Sequence, residues 1–149
     1  MKKTYKNTIS EYSLKYTKSE IQKTKITTSE SACSVIRQFY FDDINIYESF
    51  FILLLNRANN TTGFAKISQG GTAGTVVDIK IIAKYAVESL SSAVIICHNH
   101  PSGNITPSEA DINITKKIKD ALLLLDISLT DHIILSENNY YSFADNGNL

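Results

Sequence analysis

The distribution of apolar residues changes character near residue 28. Before it, Ile9, Leu14, Ile21 and Ile26 are scattered through a segment of Lys, Thr, Ser and Tyr, so little core can be built and an arm with at most one weak helix is expected over residues 1–27. After it, Ser29 is placed to cap a helix whose apolar positions Ala32, Val35, Ile36 and Phe39 recur at helical spacing. Residues 48–56, "ESFFILLLN", form a continuous apolar run of strand length, the pattern of a strand covered on both faces. Residues 61–68 follow as its hairpin partner and end at the Gly70-Gly71 turn.

Residues 78–90 carry apolar side chains at 79, 82, 83, 86, 87 and 90, with Lys80, Lys84 and Glu88 on the other side, an amphipathic helix. Residues 93–97, "AVIIC", read as a second fully apolar strand that runs straight into His98. Thr106, Pro107 and Glu109 have the spacing of an N-cap, a first helical residue and a capping-box partner. The helix they open is expected to reach about Leu125 and to bury Ile114, Ile118, Ala121, Leu122 and Leu125. Short strands at 127–130, 132–136 and 140–143 finish the chain, the last two joined by a turn at Asn138-Asn139. This order, without internal repeat, predicts an α/β domain over residues 28–149: a central mixed sheet with helices packed on it.

Composition narrows the picture. A chain of 149 residues, 43% apolar and 20% charged, suits one globular domain. No apolar run approaches the roughly 18–20 residues of a membrane span, and the positive start "MKKTYKNTISEY" has no apolar stretch behind it. A cytoplasmic protein without a membrane segment is therefore expected. Cys33 and Cys97 are too few for a disulfide framework or a four-thiolate zinc site and read as free, buried thiols. Formal charge is zero overall, but residues 1–30 hold seven Lys and three Glu, net +4, which leaves net −4 beyond them. A basic arm can hold DNA or an acidic partner, although a solvated tail is the commoner outcome.

Two of the three histidines stand one residue apart in "CHNHPSGNITPS", 97–108, with Asp111 three residues further on. On a strand, His98 and His100 point one way and Cys97 and Asn99 the other. A pair of imidazoles aimed at one point can grip a divalent metal if a third ligand arrives, and Asp111 lies about one turn inside the next helix, after a tight bend at 101–103. Three protein ligands with a fourth position left for water is the pattern of catalytic rather than structural zinc. Zinc lowers the pKa of such a water to about 7, and a base must still carry its proton to a leaving amine. Glu48, at the start of an otherwise apolar strand, is the candidate; Glu109 is nearer but is expected to serve the capping box. Ser108, on the first turn of the helix bearing Asp111, can donate to a carbonyl oxygen as it becomes an oxyanion, helped by the helix N-terminus.

The run His98-x-His100-x₇-Ser108-x₂-Asp111, with Glu48 upstream, resembles the JAMM (MPN+) metalloprotease motif, and "HNHPSGNITPSEAD" resembles its form in the RadC family, bacterial proteins associated by name with DNA repair. The segments "ESFFILLLNR", Gly70-Gly71 followed by 75–78, "DHIIL" at 131–135 and "YYSF" at 140–143 resemble RadC segments in the same order, over roughly residues 28–149. The resemblance implies a cytidine-deaminase-like α-β-α fold with a central mixed β-sheet. It implies zinc held by His98, His100 and Asp111, with Glu48 as general base and Ser108 stabilising the tetrahedral intermediate. The substrate would be a protein or peptide cleaved at a peptide or isopeptide bond. Two departures stand out: longer RadC proteins carry a helix-hairpin-helix region where this chain has its basic arm, and Ile79-Lys80 stands where the family usually shows Pro-Arg.

Other readings remain beside it. A lone histidine is more often structural than a ligand, and His132, entering an apolar strand, is expected in a supporting or core role. Cys97, next to His98, is turned into the core by alternation. A DNA-associated binding module with a structural or vestigial metal site is the alternative from another class. A metal-dependent nuclease is a third, since the same chemistry can attack phosphorus; the contiguous His-Asn-His does not match HNH nucleases, whose three letters are spread over a ββα unit.

Overall fold

The computed structural model describes residues 9–13, 15–40, 43–71 and 74–149. The start of the arm at 1–8, and with it Leu14, lies outside the described residues. The elements follow the order α1 (Ser29–Ile36), a 3-10 turn (Arg37–Phe39), β1 (Ser49–Leu55), β2 (Thr61–Gln69), α2 (Ile79–Glu88), β3 (Ala93–Asn99), α3 (Glu109–Leu123), β4 (Ser128–Leu135) and β5 (Tyr140–Ser142). The strands form one five-stranded sheet in the order β2-β1-β3-β4-β5. β3 and β4 are parallel and the other neighbours antiparallel, so the expected mixed sheet is present.

Helices cover both faces. Phe51, Leu53 and Leu55 of β1 and Ile95 and Cys97 of β3 pack toward Ala32, Val35 and Ile36 of α1. Phe50, Ile52 and Leu54, with Val94 and Ile96, pack toward Ile82 and Ala86 of α2 and Ile118 and Leu122 of α3. This double cover explains why all seven residues of β1 and all seven of β3 are buried, and why both read as unbroken apolar runs. It also makes register decisive, because a slip of one residue would exchange the two faces. Phe50 is paired with His98, which sets β1 and β3 so that their even-numbered residues share the α2–α3 face.

Several boundaries differ from the sequence expectation. Thr28, not Ser29, caps α1, in a reciprocal box with Ser31. The third helix starts later than expected: Ser108 is its N-cap, and Asp111 closes the box that Glu109 was expected to close. Pro107 therefore precedes the cap. Leu125 is 46% exposed, since α3 ends at Leu123 and the chain turns away to β4. The strands expected at 127–130 and 132–136 are one strand, β4, with a register shift between Leu129 and Asp131. Asp131 does not break it because its carboxylate accepts from the His132 N–H, the Ser142 hydroxyl and the Ala144 N–H. Residues 9–13 and 15–27 form no helix; Lys25 bridges Asn60 at the start of β2, and Ile21 and Ile26 pack against the α1-side core.

Candidate metal centre

The centre is built where β3 leaves the sheet. His98 is 1% exposed and fixed on both sides, opposite Phe50 of β1 and Ile134 of β4. Its ring stacks on Phe50. His100 lies just past the strand, its N–H bonded to the Leu135 carbonyl, and its Nδ1 is 2.6 Å from the Asn104 carbonyl oxygen. A carbonyl can only accept, so His100 carries a proton on Nδ1, and in its neutral form it turns a lone pair on Nε2 toward His98. Cys97 points to the opposite face, its thiol against the Phe51 carbonyl, and burial pushes its pKa up. It is a core residue, as alternation predicts.

Asp111 reaches the two imidazoles from the first turn of α3. The turn is locked by its own capping box: Ser108 Oγ accepts from the Asp111 N–H at 3.1 Å, and the Asp111 carboxylate accepts from the Ser108 N–H at 2.7 Å. The carboxylate still has room for more partners. His98 Nε2 is 3.1 Å from Oδ1, His100 Nε2 is 3.5 Å from Oδ2, and the two Nε2 atoms are 2.9 Å apart. Two ligand atoms on one tetrahedral zinc at 2.0–2.1 Å lie about 3.3 Å from each other, so the donor set fits an ion of that kind. Burial alone would raise the Asp111 carboxyl, but His100, His98 and the Ser108 N–H outweigh it and hold it far below the usual carboxylate range. Asp111 in turn raises the pKa of His100. The back of the centre is closed, whereas His100 at 16% and Asp111 at 12% side-chain exposure leave its front open.

Glu48 immediately precedes β1 and, by alternation from Phe50, belongs to the face that carries His98. It is half-buried, and its charge contributes to the raised pKa of His100. Its backbone is held on both sides by the glycine turn, Glu48 N–H to the Gly71 carbonyl and Gly70 N–H to the Glu48 carbonyl. A Cβ at Gly70 would fall 1.7 Å from the Gly74 carbonyl oxygen, so only glycine lets the turn close there. Ser108, the remaining candidate, is spent as an acceptor in the capping box, which leaves its hydroxyl proton to donate elsewhere.

Asn99, to which the sequence reading gave no role, ties these parts together from the opposite face. Its amide donates to the carbonyls of Ile44 and Tyr47, and its oxygen accepts from the Ser49 N–H at 2.8 Å. The histidine strand thus grips the backbone on either side of Glu48. Asn99→Ala is expected to lower stability by about 1–3 kcal/mol, chiefly by orphaning the buried Ser49 N–H, and to increase protease cutting within residues 44–48. Thermal melts with limited proteolysis check this.

A family model described as a RadC-like JAB domain matches residues 26–148. The chain belongs to the RadC family. Similar curated proteins include UPF0758 proteins of Flavobacterium johnsoniae, 43% identical over 83% of this chain and 53% of that protein, and of Porphyromonas gingivalis, 40% identical over 82% and 53%. A UPF0758 protein of Clostridium beijerinckii is 37% identical over 83% and 53%. The RadC-like chain spans about half the length of these relatives.

In this RadC-like domain His98, His100 and Asp111 form a group that can hold a metal ion, their ligand atoms all within 4.8 Å of one another. Thr115 and His132 stand directly behind it, both buried. The "DHIIL" segment signalled His132, but a threonine on an amphipathic helix reads as a surface residue; only the approach of α3 to β4 shows its partner. Among the described residues no helix is long and apolar enough to cross a membrane.

Proposed function

We propose that this chain is a zinc-dependent hydrolase that cleaves a peptide or isopeptide bond in a protein or peptide substrate. The observation that carries the reading is the convergence of His98 Nε2, His100 Nε2 and the Asp111 carboxylate at ligand spacings, closed behind and open in front. When bound, zinc supplies Lewis acidity, which polarises a carbonyl and makes water acidic near neutral pH. Glu48, held on the same face of the sheet, takes the proton from the attacking water and delivers it to the leaving amine. Ser108 donates its free hydroxyl proton to the carbonyl oxygen as negative charge develops, and the α3 N-terminus supports that charge.

The test is elemental analysis of protein purified without a metal-affinity step, followed by assay on peptide and isopeptide substrates. About one zinc per chain with hydrolysis that a chelator abolishes and zinc restores is the expected result. Protein that takes up no metal when zinc is offered overturns the reading.

A further inference from the structure

Behind the metal-facing nitrogens runs a second line of polar contacts that the proposed chemistry does not use. His98 Nδ1 is 2.8 Å from His132 Nε2, His132 Nδ1 is 2.6 Å from Thr115 Oγ1, and Thr115 Oγ1 is 2.5 Å from the backbone carbonyl oxygen of Asp111. All three side chains are buried, and His132 is further enclosed by a ring stacked against Phe143 at 4.5 Å. The line therefore ends on a group that has no proton to give.

That ending sets the direction of every link. Thr115 has one hydroxyl proton, and a contact of 2.5 Å to a carbonyl oxygen requires it there. Its lone pair then accepts from His132 Nδ1–H. A neutral ring with its proton on Nδ1 presents a bare Nε2, which accepts from His98 Nδ1–H. Neutral His98 is left with a lone pair on Nε2, the atom that faces Asp111 and His100. Reversed, the same links would place a proton on His98 Nε2 and block the centre.

We propose that Thr115 and His132 are positioning residues that fix His98 in its cation-binding tautomer, through a relay anchored on the carbonyl of Asp111. The helix residue that supplies one ligand through its side chain thereby sets the proton position of another through its backbone. His100 reaches the same state by a shorter route, directly from the Asn104 carbonyl. The inference rests on reading the centre as a metal site, because only there does the choice of tautomer matter.

Two measurements on the full chain test it. In metal-free protein with ¹⁵N-labelled histidine, the long-range ¹⁵N–¹H pattern is expected to show His98 and His132 both protonated at Nδ1. In a chelator competition for zinc, Thr115→Val and His132→Phe are each expected to bind about 10- to 100-fold more weakly than wild type, with Thr115→Ser restoring most of the loss. A role in packing alone would leave zinc affinity intact in Thr115→Val, which is nearly isosteric. A His98 protonated at Nε2 with Nδ1 bare in the wild type, or unchanged zinc affinity in folded Thr115→Val and His132→Phe, overturns the proposal. Wild-type protein that binds no zinc would instead overturn the metal reading, while the metal-free spectrum still judges the relay.

Discussion

Glu48→Gln is expected to keep zinc at the wild-type level and to lose turnover by about 100- to 10,000-fold, the range for removing a positioned general base. Gln is nearly isosteric with Glu, and the contacts that fix this position, to Gly70 and Gly71 on one side and through Asn99 on the other, are made by backbone atoms that the substitution leaves in place. Glu48 is also absent from the group that can hold the metal. What disappears is an oxygen able to take and return a proton. The loss should therefore fall on kcat rather than KM. Zinc analysis and steady-state kinetics on the same preparation check it, and full activity in Glu48→Gln would remove the base role from this residue.

The second large effect is expected at Asp111, which has two tasks. Its carboxylate faces both imidazoles and also closes the capping box with Ser108. Asp111→Asn keeps an oxygen for the Ser108 N–H but loses the anion, so zinc and activity should be lost while the fold persists. Asp111→Ala should lose the metal and in addition about 1 kcal/mol of helix-end stability. Metal content and thermal melts of the two variants separate the tasks; an Asn variant with wild-type zinc affinity would exclude Asp111 as a ligand. In metal-free protein the pH dependence has a definite sign. The depressed Asp111 carboxyl stabilises the fold above its unfolded value, about 3.9, and that contribution is lost as pH falls through its lower folded value. The raised His100 stabilises it below the unfolded value, about 6.5, and is lost as pH rises through its higher folded value. The stability gap between wild type and Asp111→Asn is therefore expected to be widest between about pH 4 and 6.5.

What could be read from the chain follows from how local each signal is. β1 and β3 were legible because strands covered on both faces leave an unbroken apolar run, and the period of two sends His98 and Cys97 to opposite faces without any knowledge of the neighbours. The start of α3 was misplaced because Thr106-Pro107-x-Glu109 offers as plausible a start as Ser108-x-x-Asp111; in the fold the second is used, and it sets Asp111 beside His98. β4 was divided because a charged residue inside a strand looks like a break until Ser142 and Ala144, beyond the following turn, are seen to satisfy it. Asn99 and Thr115 were missed for the same reason. Their partners, the carbonyls at 44 and 47 and the ring of His132, are brought to them only by tertiary pairing.

The two imidazoles are tied down in unlike ways, and this bears on how the chain can change over evolutionary time. His100 is held by the main-chain carbonyl of Asn104, a group that every amino acid carries. The side chain at 104 therefore does not itself hold this imidazole; it acts on the loop's path instead, accepting from the Thr106 N–H beside Gly103 at φ +84°. His98 depends on an imidazole and a hydroxyl from two other elements. One imidazole is thus fixed by the path of the chain and the other by the identity of two side chains.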